Sequence, residues 1–162
     1  MHKSVDNELC VKYLSLIGSC YATGDFEPLF PYLSSDCVWE SQWRLTPEVG
    51  KYTVEKYFRK KGSILKQTGS FPKWMIVELV DNMNPMRHTN IVVNGEEKKN
   101  VSFAMWYRAG ELALFMDQLL ASDEHALSLM RIQLDSSDLI KRMDMCIPEL
   151  FKFVKYDIHE KI

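Results

Sequence analysis

The chain has 162 residues, of which 46% are hydrophobic and 26% charged, and its formal net charge is -2. This composition is typical of a folded globular protein with a sizeable core, so we expect a single domain over residues 1–162. Acidic and basic residues are mixed along the chain without the basic stripe that a phosphate backbone requires, and nucleic-acid binding is therefore not expected.

The sequence shows no pattern of export or membrane insertion. Residues 1–8 hold no apolar run of the signal-peptide kind, and no uninterrupted apolar stretch approaches the roughly 18 residues of a membrane span. The four cysteines, Cys10, Cys20, Cys37 and Cys146, form no CxxC pair. We therefore predict a cytoplasmic protein with reduced, buried cysteines and no membrane partner.

Two helices are predicted at the start of the chain. The first carries one apolar stripe, with Asp6 as its N-cap and Gly24 just past its end. The stripe is Leu9, Tyr13, Leu16, Ile17 and Cys20. The second helix is shorter and begins at Asp25, and Pro28 is tolerated in its first turn. Its apolar face is Phe26, Leu29, Phe30 and Leu33.

Residues 37–43 alternate as a strand does, and both faces of this strand have a distinct composition. One face holds Cys37, Trp39, Ser41 and Trp43, and the other holds Val38, Glu40 and Gln42. A longer helix is predicted from about Thr53 to Gln67, ending at Gly69. Its apolar face, interrupted by Lys61 and Gly62, is Val54, Tyr57, Phe58, Ile64 and Leu65.

The second half of the chain has the alternating pattern of strands. Strands are predicted over residues 74–80, 101–107, 112–120, 126–134 and 139–147, and their short connections indicate an antiparallel meander. Two stretches stay open. Ile91–Val93 is either a short strand before an Asn94-Gly95 turn or part of a flap, and residues 149–156 form either a closing helix or a final strand.

This order of elements resembles the nuclear transport factor 2-like superfamily, which includes ketosteroid isomerases, scytalone dehydratase and the polyketide cyclases known as SnoaL-like proteins. The resemblance rests on residues 24–41 and 50–58, and the last strand, residues 146–151, is similar to small uncharacterised bacterial members. It implies an α+β fold in which a strongly curved antiparallel sheet wraps around N-terminal helices as a cone with an internal pocket. It also implies a homodimer formed through the outer face of the sheet.

The resemblance to ketosteroid isomerases implies candidate site residues. Their general-base aspartate on the first strand corresponds to Ser41 here, with Glu40 beside it. The candidates for their two oxyanion donors are Tyr13 or Tyr21 for the helix tyrosine and Asp117 or Asp144 for the second acid. A serine in place of the base argues against steroid-type isomerisation.

The aromatic residues favour a ligand pocket. Trp39 and Trp43 share a face, and Tyr13, Tyr21 and Phe58 are expected to point toward them. Such rings stack a flat or apolar ligand, although aromatic residues at these spacings also serve as ordinary core.

Three carboxylates are candidate proton carriers. Asp144 lies between two methionines, and Asp117 lies in another apolar strand, where a buried carboxyl would suit acid–base chemistry. Because Arg142 shares the face of Asp144, that pair fits a sheet surface or a dimer interface equally well. Glu40 alternates away from Trp39, so only one of the two lines the pocket.

No cofactor or metal motif is found. His2, His88, His125 and His159 lack metal-ligand spacing, and the sequence has no phosphate loop, dinucleotide fingerprint or GxSxG elbow. We predict a protein that binds a small apolar or aromatic molecule. The alternatives are a cofactor-free lyase or isomerase acting through Asp117, Asp144 or Glu40, and a dimerisation scaffold whose pocket is filled by its own side chains.

Overall fold

The computed structural model describes residues 3–42, 46–82, 91–98, 107–146 and 153–156. The helices in this part of the chain are α1 (Lys3–Thr23), a 3₁₀ helix (Glu27–Tyr32) and α2 (Lys51–Thr68). The strands are β1 (Leu33–Ser41), β2 (Glu48–Val49), β3 (Lys73–Leu79), β4 (Ile91–Val93), β5 (Glu96–Lys98), β6 (Leu112–Leu119), β7 (His125–Leu134), β8 (Ile140–Cys146) and β9 (Phe153–Lys155). Neither α-helix is long and apolar enough to cross a membrane.

Seven strands form one curved, unclosed sheet in the order β2-β1-β8-β7-β6-β3-β9, and the fold is α+β as predicted. Strands β6, β7 and β8 form the expected antiparallel meander. One neighbouring pair departs from the predicted antiparallel arrangement, because β1 and β8 pair in parallel. Parallel neighbours need a long crossover, and α2 and strands β2 to β7 provide it between β1 and β8.

Buried residues lie on both faces of the sheet. The inner face packs against α1, the 3₁₀ helix and α2, and it carries Trp39 beside Met143 in the β1–β8 pairing. The next register pair, Glu40 and Asp144, therefore lies on the outer face, since successive side chains of a strand alternate. A second apolar cluster covers part of that outer face and comprises Val77, Leu79, Tyr107, Ala113, Leu129 and Cys146.

Several predicted boundaries needed correction. Helix α1 begins at Lys3, so Asp6 is not its N-cap. The second helix is a 3₁₀ helix whose N-cap is Phe26, although the Asp25 carboxylate accepts a hydrogen bond from the backbone N–H of Glu27 at 3.1 Å. On α2, Ile64 is 43% exposed rather than part of the apolar face.

The two stretches that the sequence left open are strands wherever the structure describes them. Strands β4 and β5 form an antiparallel hairpin, and Asn94 and Gly95 in its turn have φ values of 52° and 78°. Positive φ at both central residues is the geometry that an Asn-Gly turn favours. Near the C-terminus, β9 pairs antiparallel with β3. The predicted strand over residues 101–107 lies outside the described residues except for Tyr107.

Helices α1 and α2 are close to each other at a pair of glycines. A Cβ atom on Gly62 would lie 2.2 Å from the carbonyl oxygen of Gly24, which is shorter than any normal contact. Gly24 itself has φ of +77°, a conformation that glycine adopts without steric cost. The absence of both side chains therefore sets the distance between the end of α1 and the middle of α2.

Candidate functional site

A cavity of about 490 Å³ lies between the inner face of the sheet and the two α-helices. Tyr21 of α1, Trp39 and Ser41 of β1, and Tyr57 and Lys61 of α2 form one side. The remaining lining residues are Pro72, Met116, Gln118, His125, Ala126, Leu127, Ser128 and Met145. Small-molecule sites typically measure about 300–1,000 Å³ and combine apolar walls with a few polar groups, as this cavity does.

The aromatic wall of the cavity is a stacked pair supported by further rings. The Trp39 and Tyr57 rings lie 4.1 Å apart between centroids, at an interplanar angle of 26°. Phe58 lies behind them and contacts Trp39 edge-on at 6.3 Å, while it stacks on Phe26 at 4.8 Å. These contacts hold the wall in place, because edge-to-face and offset-stacked rings each add stability beyond the burial of their area.

The Tyr21 hydroxyl is the most unusual polar group of the cavity. Tyr21 is only 3% exposed, and its hydroxyl has no hydrogen-bond partner among the described residues. Burial, and secondarily the neighbouring Tyr57, raises the pKa of Tyr21 well above its usual range, so the hydroxyl is neutral and able to donate. An unpaired buried hydroxyl costs about 1–3 kcal/mol, a cost that a ligand acceptor would remove.

Lys61 brings a positive charge to the cavity. It lies one helical turn after Tyr57, and burial lowers the pKa of its ammonium group. No carboxylate pairs with it among the described residues, whereas the exposed Arg59 on the same helix bonds Glu27 at 2.8 Å. Sequence reasoning treated Lys61 only as an interruption of the apolar face. That interruption was the sequence signal of a candidate functional residue, since a lysine within a buried apolar stripe needs a partner for its charge.

A histidine and an aspartate meet on the outer side of the β6–β7 pair, where Asp117 alternates with the inward-facing Met116 and where His125 borders the mouth of the cavity. Nδ1 of His125 lies 2.6 Å from Oδ1 of Asp117, and the His125 side chain is 57% exposed. His125 is a lining residue of the cavity and Asp117 is not, but Asp117 orients the imidazole of His125. No group of three or more His, Cys, Asp or Glu side chains suited to a metal ion occurs within the described ranges.

The structure brings only some of the predicted pocket residues together. Tyr21, Trp39 and Ser41 line the cavity, and Phe58 supports the wall from behind. Tyr13 does not reach it, because its hydroxyl donates to the backbone carbonyl of Asp138 at 2.6 Å. Eight residues of helix separate Tyr13 from Tyr21, a rise of about 12 Å. Trp43 lies outside the described residues.

All three predicted carboxylates lie on the outer face of the sheet, since Glu40 and Asp144 alternate with Trp39 and Met143, and Asp117 alternates with Met116. Asp144 accepts hydrogen bonds from Arg131 at 2.9 Å and from Arg142 at 2.8 Å, and Arg142 also bonds Glu40. The Tyr107 hydroxyl donates to the backbone carbonyl of Asp144 at 2.7 Å. No carboxylate is found among the described lining residues, so Glu40 and Asp144 are placed as partners of the sheet arginines Arg131 and Arg142 rather than as groups facing the cavity.

Comparison with known proteins supports the fold. No family model matches the sequence, and no curated protein matches it. Solved structures match its fold. One is an NTF2-like protein of unknown function from Mesorhizobium loti, which is 10% identical to this chain and superposes with a TM-score of 0.52; the match covers 86% of this chain and 91% of that protein. This chain has the nuclear transport factor 2-like fold. The epoxide hydrolase/cyclase-like enzyme SalBIII, which has a role in pyran ring formation in the polyether salinomycin, has the same fold. It is 9% identical with a TM-score of 0.50, covering 95% of this chain and 98% of its own.

The placement of Asp144 in this nuclear transport factor 2-like fold predicts a structural role. We expect Asp144→Asn to lower the free energy of unfolding by about 3–5 kcal/mol, because Arg131 would lose its buried counter-charge and keep only the partly exposed Glu111 at 3.5 Å. Asp117→Asn, which removes one partner of an exposed pair, should cost no more than about 1 kcal/mol. Urea unfolding followed by circular dichroism measures both. An Asp144→Asn variant of wild-type stability would contradict this assignment.

Proposed function

We propose that this protein binds a small, flat apolar or aromatic molecule in the cavity. The observation that carries the proposal is the cavity of about 490 Å³ beside the Trp39–Tyr57 stack, with the unpartnered, buried Tyr21 hydroxyl in its wall. An aromatic ligand would lie against the wall, and an acceptor atom on it would receive the hydroxyl proton. This combination supports binding with a defined orientation rather than simple filling of space.

A pure scaffold is less well supported. A scaffold would fill the space between sheet and helices with its own side chains, since protein interiors are packed closely. The cavity instead remains open, and ring contacts within the protein hold its aromatic wall in place. We infer that the space is retained for a ligand.

Substitution of Tyr21 tests the proposal. Calorimetric titration with the neutral ketone 2-acetylnaphthalene should show saturable binding, and Tyr21→Phe should weaken it about 2- to 10-fold by removing one hydrogen bond. The unfolding free energy of Tyr21→Phe should not fall, because the hydroxyl has no described partner in the free protein.

Tyr13→Phe is the matched control for this experiment. Its hydroxyl is satisfied by the Asp138 carbonyl outside the cavity, so its loss should lower stability by about 1 kcal/mol and leave the ketone affinity unchanged. Absence of saturable binding, or wild-type affinity in Tyr21→Phe, would contradict the proposal.

A second candidate function is a cofactor-free isomerase or lyase, which the His125–Asp117 pair favours. Asp117 lies 2.6 Å from the imidazole of His125, which borders the mouth of the cavity from the outer side of the sheet, and the pair has the arrangement of a general base with an orienting carboxylate. In this version of the acid–base hypothesis the imidazole carries the proton, Asp117 positions it, and Tyr21 donates to the developing oxyanion.

Hydrogen–deuterium exchange tests this second function. With the aromatic ketone 2-tetralone in D₂O, the protein should accelerate exchange of the α-hydrogens, as followed by NMR. The acceleration should be lost in His125→Gln and reduced about 10-fold or more in Asp117→Asn. A rate equal to that of buffer with the wild-type protein would exclude proton abstraction from this class of ketone.

We also propose that the protein is a cytoplasmic homodimer that associates through the outer face of the sheet. An exposed apolar side chain on that face supports this, since Leu119 of β6 alternates with the inward-facing Gln118 and is 51% exposed. Light scattering on the purified protein should give twice the chain mass of 18.9 kDa. A monomer at micromolar concentration would contradict the proposal.

A further inference from the structure

Lys61 occupies a position on α2 where a charge has no structural use. The buried face of the helix is formed by Val54, Phe58, Gly62 and Leu65, and Lys61 lies directly beside it. Tyr57 precedes Lys61 by four residues, so both side chains project on the same side of the helix, and both line the cavity. The ammonium group therefore belongs to the aromatic wall and not to the solvated face of the helix.

The two arginines of the sheet, one buried and one partly buried, have carboxylate partners. Arg131 bonds Asp144, and Arg142 bonds both Asp144 and Glu40. Lys61 has no such partner within the described residues, although burial opposes its charge. A partly buried ammonium without a counter-ion is costly, and a bound anion would remove that cost.

The remaining polar groups of the cavity also favour an acceptor-rich ligand. The Tyr21 hydroxyl is a free donor, and the described lining residues include a lysine but no carboxylate. The side-chain amide of Gln118 already donates to the Ser70 carbonyl at 2.7 Å and is oriented by that bond. The cavity thus offers donors and one positive charge beside an aromatic wall.

We propose that the ligand of this cavity is a flat apolar or aromatic carboxylic acid and that Lys61 binds its carboxylate. The inference rests on the proposed function, because it names the ligand class of the same cavity. In this arrangement the ring lies along Trp39 and Tyr57, and the carboxylate accepts from the Lys61 ammonium. Lys61 is then the residue that selects acids over neutral molecules of the same shape.

A matched pair of probes separates charge from shape. The probes are 2-naphthoate and its neutral methyl ester, titrated calorimetrically into the wild-type protein, Lys61→Met and Lys60→Met. The wild type should prefer the acid, and Lys61→Met should weaken acid binding about tenfold or more while changing ester binding less than about twofold. Lys60 is the matched control, because it is the neighbouring lysine on the exposed face of the same helix.

The pH dependence provides a second readout. Burial places the pKa of Lys61 below the ordinary 10.5, so acid affinity should fall as pH rises through that lowered pKa, since the ammonium loses its charge. Ester affinity should not follow the same curve. Tyr21, Tyr57 and His125 are the other ionisable residues that line the cavity, and Lys61→Met retains all three, so only the part of the slope that this variant loses belongs to Lys61.

Each result decides the proposal. Selective loss of acid binding in Lys61→Met supports it. Equal binding of acid and ester by the wild type leaves the proposed function in place and overturns the inference about charge. A preference for the acid that survives in Lys61→Met overturns the role of Lys61. If neither probe binds, both the proposed function and the inference fail for this ligand class.

Discussion

The architecture depends on a cluster of aromatic rings centred on Phe58. This fully buried side chain contacts rings from α1, from the start of the 3₁₀ helix, from β1 and from its own helix, namely Tyr21, Phe26, Trp39 and Tyr57. The cluster sets the distance of both helices from the sheet, and the contact of Gly62 with Gly24 brings the helices together beside it. Because the rings occupy only part of the concave face, the rest of that face remains open as the cavity.

The two faces of the sheet keep different charges apart. On the outer face, Arg131 and Arg142 neutralise Asp144 and Glu40 beneath the Tyr107 ring, whose face lies 4.9 Å from the Arg131 guanidinium. On the inner face, the cavity contains Lys61 without a described carboxylate. The alternation of side chains along β1 and β8 keeps Glu40 and Asp144 out of the cavity, whereas Lys61 joins its lining from α2.

Local patterns in the sequence predicted the helices and most strands, but they did not predict which distant strands pair. The stripe of α1, the Asn94-Gly95 turn and the opposite placement of Trp39 and Glu40 each follow from neighbouring residues alone. The parallel pairing of β1 with β8 does not, since it joins residues far apart in the chain. Periodicity describes one element at a time and carries no information on which elements become neighbours.

For the site, the sequence by itself determined which side chains share a face, and only the tertiary structure decided which face meets the cavity. Trp39 and Ser41 were predicted together and are found together, whereas Asp144 required the sheet to show that it faces arginines. Lys61 was visible in the sequence as a break in an apolar stripe, but its importance depends on the surroundings that α1 and the sheet provide. The physical reason is that burial and charge pairing are properties of the assembled fold, while alternation is a property of the backbone of each element.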